Sequence, residues 1–274
     1  MSRVVVKLGG HAVHDARIDA PALAQLAQDV GALRRGGDEV VVVHGGGPQI
    51  ASLLARLNVR EQFHEGLRVT DPATLEVVAL ALGSLNQVIT AALNRAGLEA
   101  VGLSGSDASF LRASPLGAAW GRVGGVPRVD ASVVTRAWSV GWTPVVSPLA
   151  VDADGQLLNC NADTVAGALA GALGAATLVL LSDVAQLRSD PDDPRTTLDH
   201  VRSDEVEAML ASGTARDGMR PKMRAALDAL RGGAVRVVLA DGRRDHAVAG
   251  AVAGTVPVTE VRPARERSAS EESP

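Results

Sequence analysis

Apolar residues along this chain follow two rhythms. Val4-Val5-Val6 and Val40-Val41-Val42-Val43 run without alternation, the mark of strands covered on both faces as in a parallel sheet. Between them Leu23, Leu26, Ala27, Val30 and Leu33 recur at helical spacing, with Asp19 placed to cap the helix and Gly36-Gly37 to stop it. Strand, helix and strand form a βαβ unit. Further helices are predicted over residues 49–57 and over 74–94. In the longer one Leu75, Val78, Leu82, Leu85, Ile89 and Leu93 mark a stripe, and Gly97 fits a C-cap. Val77, Ala81, Val88 and Ala92 widen that stripe, which allows a subunit interface beside the core face.

The same reading continues downstream. Residues 99–107 and 144–148 each carry a short strand, and residues 110–129 turn to Gly, Pro, Ser and Arg, as in loops and a hairpin. Asp154-Gly155 marks a hairpin turn. Strands are predicted at 176–184 and 235–240, and helices at 164–173, 203–212 and 221–231. Segments 63–71 read as a loop or short hairpin. The fold class is α/β.

Composition narrows the partners. A formal net charge of -4 argues against a nucleic-acid groove or an anionic membrane surface, and the scarcity of aromatics (no Tyr, two Phe, three Trp) removes base-stacking platforms. The single Cys160 excludes an internal disulfide framework and is compatible with a reducing cytoplasm. No uninterrupted apolar run reaches membrane-spanning length and no signal peptide precedes the first strand, so a cytoplasmic location is expected.

The candidate chemistry sits at strand ends. His44-Gly45-Gly46-Gly47-Pro48 follows a valine strand; three glycines let backbone N–H groups approach a ligand, and Pro48 suits the first turn of a helix whose positive end faces the loop. Lys7-Leu8-Gly9-Gly10 repeats the pattern with a lysine that can reach phosphate as a point charge, although the G-x-x-x-x-G-K-[ST] loop is absent. Arg68 has the planar fork for bidentate capture of a carboxylate. Asn159, Asn161 and Asp163 alternate, and either of the last two could cap the following helix. Lys222 stands in a first helical turn, where a cation opposes the helix dipole.

Together these motifs resemble the amino acid kinase family. They run in the family's order from Lys7-Leu8-Gly9-Gly10 through His44–Ile50, Gly66–Thr70, Ala100–Gly105, Asn159–Asp163 and Leu181–Val184 to Gly218-Met219-Arg220-Pro221-Lys222. Within the family, the resemblance is to the members that phosphorylate N-acetyl-L-glutamate. It implies a three-layer α/β/α fold with a largely parallel central sheet and two lobes: residues 1–173 for the amino acid and a homodimer contact, 174–262 for the nucleotide. A charged, Ser-rich tail, 263–274, is expected to be disordered. The resemblance implies transfer of the ATP γ-phosphoryl group to the substrate's side-chain carboxylate. Lys7 and Lys222 resemble the lysines that stabilise the transferring group, and Asp163 the carboxylate that positions both. Gly10, Gly46 and Gly47 resemble backbone donors to the phosphoryl and substrate oxygens. Arg68 and Asn159 resemble groups that hold the amino acid, while Gly9, Gly10, Ser182, Asp183 and Met219 fall in segments resembling the nucleotide site. Mg²⁺ would be held mainly by the phosphates, with no dedicated protein ligand.

Departures accompany the likeness. Gln186 stands where the family usually has glycine, and Trp120–Val126 matches the family's hairpin loosely. The resemblance assigns arginine-inhibited relatives an extra N-terminal helix; its absence here predicts a homodimer insensitive to arginine. The rival readings are a kinase for acetylaminoadipate or carrier-linked aminoadipate, and a catalytically silent amino-acid sensor, which would be expected to lack Lys7, Asp163 or Lys222.

Overall fold

The computed structural model describes residues 1–9, 17, 19–184, 186–215 and 219–264. Eight strands form the central sheet: β1 (Arg3–Leu8), β2 (Glu39–His44), β3 (Ala100–Ser104), β4 (Thr143–Ser147), β5 (Thr177–Ser182), β6 (His200–Arg202), β7 (Val237–Asp241) and β8 (Val258–Arg262). Their spatial order is β6-β8-β7-β5-β1-β2-β4-β3. Every neighbouring pair is parallel except β7 with β8. The chain leaves β1 toward β2 on one side and returns to β5 on the other, so ligands gather beyond the carboxyl ends near β1.

The valine runs are buried on both faces, as their lack of alternation requires. Val5, Val41, Val43, Leu178 and Leu180 point into one core with helices α4 (Ser132–Ser139), α5 (Ala162–Leu173) and α7 (Met219–Arg231). Val4, Val6, Leu8, Val40, Val42 and Val179 point into the other with α1 (Pro21–Arg35), α3 (Pro72–Arg95) and α8 (Ala247–Ala253). The layers are thus α/β/α, as expected. Helix α2 (Gly47–Arg56) packs Ile50 and Leu54 on the first half of α3, and α6 (Ser203–Ala211) contributes Val206 to the α5 side. A second, five-stranded sheet includes the hairpin Leu149–Val151 with Leu157–Cys160, antiparallel around Asp154-Gly155.

Some expectations change in detail. Asp19 does not cap α1; Ala20 holds the N-cap position without a side-chain bond, and Asp19 pairs with exposed Arg17. Helix α3 starts two residues before 74, because Asp71 accepts from the Thr74 N–H at 2.7 Å and Pro72 supplies the pre-set φ of a first turn. α3 is also long and apolar enough by composition to cross a membrane, which the sequence reading did not anticipate. Its Leu85, Ile89 and Leu93 pack in the core against the sheet. The expected disordered tail lies, from residue 265, outside the described residues.

Candidate active site

Asp163 decides the geometry of the site. Asn161 is the residue that caps α5, its side chain accepting from the N–H groups of Asp163 (2.8 Å) and Thr164 (3.3 Å). That frees the Asp163 carboxylate to face outward from the first turn. Lys7, on the α5 side of β1 beside Val43 and Leu180, places Nζ 2.8 Å from Asp163 Oδ1. Lys222, in the first turn of α7, places Nζ 3.1 Å from Oδ2. These three residues are distant in the chain, and helix contact brings them together. A Cβ at Gly167 would lie 2.5 Å from the Ala225 carbonyl oxygen, so α5 and α7 approach this closely only through glycine.

The charges are deeply placed: the side chains of Lys7 and Asp163 are each 7% exposed and that of Lys222 is 14% exposed. Burial pulls the Lys7 ammonium below its ordinary pKa and Lys222 adds to that, while Asp163 and Asp183 oppose it. Burial alone would raise Asp163, but the two ammonium groups outweigh it and hold the carboxyl below its ordinary value. Two ammonium groups against one carboxylate leave a single positive charge, poised for an anion.

A cleft of about 320 Å³ opens over this triad, lined by Gly45, Gly46, Gly47 and Pro48 on one side and by Asn159, Asn161 and Asp163 on another. Gly46 is the N-cap of α2, and the first N–H groups of a helix have no partner within it. A Cβ added to Gly47 would meet nothing within 4 Å, so its backbone faces free space; one added to Gly46 would lie 2.7 Å from Leu82 Cδ2. Two helix N-termini, those of α2 and α5, therefore converge on one cavity with lysines behind them, a setting for phosphoryl and carboxylate oxygens.

Phe63, Leu67 and Arg68 cover the cleft from the small hairpin Phe63–His64/Leu67–Arg68. Arg68 is not a free fork: it pairs with Glu61, donates to the Gly47 carbonyl at 3.3 Å and lies over the Phe63 ring. Asn159 donates to Thr70 Oγ1 at 3.1 Å, which ties the second sheet to the hairpin. Glu61 and Thr70 were not singled out by sequence reasoning, and only Thr70 had a signal, through its place in Gly66–Thr70.

Gly9, Ser182, Asp183 and Met219 do not line this cleft. Gly9 lets β1 approach β5, since a Cβ there would sit 2.8 Å from the Leu181 carbonyl oxygen. Ser182 ends β5 and closes a turn with Val184, Asp183 accepts through its carbonyl from Arg243, and Met219 opens α7 one turn before Lys222. Gly10 and Gly218 lie outside the described residues.

A mostly parallel α/β sheet, with a glycine loop at a helix N-terminus and two lysines on one buried aspartate behind it, has the chemistry that phosphoryl transfer needs. The match to known proteins specifies it further. Residues 2–241 match the model of the amino acid kinase family, and the chain belongs to that family. Acetylglutamate kinase of Symbiobacterium thermophilum is 42% identical over 255 residues, covering 89% of this chain and 86% of that protein. The chloroplastic acetylglutamate kinase of Arabidopsis thaliana is 40% identical, covering 89% and 70%. Among solved structures, a Streptococcus mutans protein superposes with a TM-score of 0.77 at 26% identity, covering 87% of this chain and 94% of that one. Giardia lamblia carbamate kinase superposes with a TM-score of 0.67 at 15% identity, covering 96% and 99%, a likeness of fold.

Proposed function

We propose that the protein transfers the γ-phosphoryl group of ATP to the side-chain carboxylate of N-acetyl-L-glutamate, giving N-acetyl-L-glutamyl 5-phosphate and ADP, a step of arginine biosynthesis. The observation that carries this reading is the pair of ammonium groups held 2.8 and 3.1 Å from one buried carboxylate, facing an open glycine loop. The relatives named acetylglutamate kinase, near 40% identity over most of the chain, give the acceptor.

The acceptor carboxylate is ionised near neutral pH, so the reaction needs no general base. What it needs is tolerance of one anion approaching another. Lys7 and Lys222 flank the path of the migrating group and offset its charge, Asp163 keeps both ammonium groups aimed, and the Gly46 and Gly47 N–H groups receive the oxygens. Arg68, exchanging part of its Glu61 pairing, binds the substrate's α-carboxylate, and Asn159 its amide. Gly9, Gly10, Ser182, Asp183 and Met219 border the nucleotide. No cluster of three or more metal-binding side chains occurs among the described residues, and Mg²⁺ carried on the phosphates would neutralise their charge.

Residues 1–173 serve the amino acid and 174–262 the nucleotide in this reading. In the same reading the chain works as a cytoplasmic homodimer, although Val77, Ala81 and Ala92, the residues that widen the α3 stripe, are taken up by the core. One coupled assay tests the reaction: ADP release with Mg-ATP should depend on added acetylglutamate, with a weaker response to acetylaminoadipate. ADP release indifferent to acetylglutamate, or faster with the longer acid, would overturn it.

A further inference from the structure

His44 and Asn86 form a buried pair that the reaction does not use directly. His44 is completely buried and Asn86 is 7% exposed. His44 projects from the opposite face of the sheet to Lys7, toward α3. There Asn86 Nδ2 lies 3.1 Å from His44 Nε2 and 2.9 Å from the Val145 carbonyl oxygen. On its other side His44 Nδ1 lies 2.7 Å from the carbonyl oxygen of Gly45.

The donors and acceptors admit one consistent assignment. An amide nitrogen only donates, so the two Asn86 N–H bonds go to Val145 and to an unprotonated Nε2. The imidazole proton then sits on Nδ1 and is donated to the Gly45 carbonyl. In a trans peptide the carbonyl and the next N–H point in opposite directions. A Gly45 carbonyl held toward α3 thus directs the Gly46 N–H to the side where Lys7 and Asp163 meet. Gly102 makes room for the arrangement: a Cβ there would lie 2.1 Å from Asn86 Oδ1.

We propose that Asn86 is a positioning residue for phosphoryl transfer, acting through the His44 ring to orient the peptide that opens the Gly45-Gly46-Gly47 loop. The proposal rests on the kinase reading above and adds a residue to it. Beside His44 in the sheet runs Leu8 of β1, and the partners of the ring itself are Asn86 of α3 and the Gly45 carbonyl. Among the described residues no charged side chain shifts its ionisation: burial lowers it to about 4, and the Gly45 carbonyl opposes that. The ring is therefore neutral at neutral and alkaline pH.

Asn86→Asp tests this without a change in volume. It sets an oxygen against the lone pair of Nε2, and the contact returns only when the carboxyl–imidazole pair takes up one shared proton. Asn86→Leu removes the contact at every pH. In the acetylglutamate-dependent assay, Asn86→Asp should lower kcat at least about tenfold at pH 8.5 while KM for acetylglutamate changes less than about threefold. Its kcat relative to the parent should recover at least about fivefold by pH 6, whereas the ratio for Asn86→Leu stays flat. Folded Asn86→Asp with kcat within about twofold of the parent at pH 8.5, or with a loss independent of pH, overturns the proposal. Nitrogen NMR of the parent's imidazoles gives an arm that needs neither a variant nor a substrate. A His44 signal protonated at Nδ1 and bare at Nε2 between pH 5 and 8 is expected, and the Nε2–H tautomer overturns the chain. If the parent itself shows no acetylglutamate-dependent ADP release, the substrate reading fails, and the NMR arm still decides the hydrogen-bond chain.

Discussion

Asp163→Asn removes a charge with almost no change of shape. The carboxylate accepts a hydrogen bond from the Lys222 ammonium at 3.1 Å and forms an ion pair with the Lys7 ammonium at 2.8 Å, in a place where little water can replace it. A hydrogen bond to a charged group contributes about 1.5–3 kcal/mol, which sets the scale of the Lys222 contact alone. The variant does not lose all of that as stability. Lys7 is already pulled below its ordinary pKa by burial, and Asp163 is the strongest influence raising it. Without that influence Lys7 sheds its proton more readily, which relieves the buried charge but removes a cation from the reaction path. The expected result is a fall in kcat of at least about 100-fold, about 2.7 kcal/mol of transition-state stabilisation. The alkaline limb of the kcat–pH profile should also move to lower pH. The stability–pH curve gives a separate check. The folded pKa of Asp163 lies below the ordinary 3.8, so its contribution is present above that value and fades as pH falls through the folded one. The folded pKa of Lys7 lies below 10.5, so its contribution grows as pH rises from the folded value toward 10.5. Asp163→Asn should flatten the acid side. Steady-state kinetics from pH 6 to 10 with calorimetry on the same preparations read all of this. A folded Asp163→Asn protein with kcat within about threefold of the parent and an unmoved alkaline limb would refute the reasoning.

Lys7→Ala and Lys222→Ala should each lower kcat at least about tenfold, about 1.4 kcal/mol, and near-normal turnover by either purified variant removes that lysine from the mechanism. Gly167→Ala forces a Cβ to within 2.5 Å of the Ala225 carbonyl oxygen, so α5 and α7 must part. A cost of about 1–3 kcal/mol is expected, seen in calorimetry as a lower Tm, and an unchanged Tm would show that the helices tolerate separation. Cys160 is buried and its thiol is pushed up to about 12, mainly by burial. At pH 8 the thiolate fraction is then about 10⁻⁴, and a thiol-alkylating reagent should label the native chain only as it unfolds. Rapid labelling of the native protein would contradict this environment.

The parts of the fold that were legible in the sequence are those fixed by burial alone. Val40-Val41-Val42-Val43 cannot be read as half-exposed, and a strand buried on both faces requires helices above and below it. Helix α8 was not anticipated because alanine and glycine in Ala247–Ala253 give little periodic contrast, and β8 pairs antiparallel where the parallel pattern would have continued. The site was legible to a different degree at each residue. Asn161 and Asp163 are equally good caps by residue type, and only the structure separates them: Asn161 takes the backbone N–H groups and Asp163 is left for the lysines. Lys222 carried only the weak sign of a cation opposing a helix dipole, since its partner lies 59 positions away and is reached through the α5–α7 contact. The likeness to a family supplied that pairing, and the glycine at 167 explains how this chain achieves it. Glu61 had no signal at all, because nothing local distinguishes a carboxylate that will meet Arg68 from one that stays in water. The same division runs through the glycine loop. Its glycines announce a place where main chain meets ligand, but the direction in which Gly46 points depends on Asn86, which reads in the sequence as a polar interruption of an apolar helix stripe. A buried polar residue on a core face is retained against a cost, and here both hydrogens of its amide are spent on holding one strand end and one ring. The chemistry is thus carried by residues at strand ends, while its aim is set from the far side of the sheet.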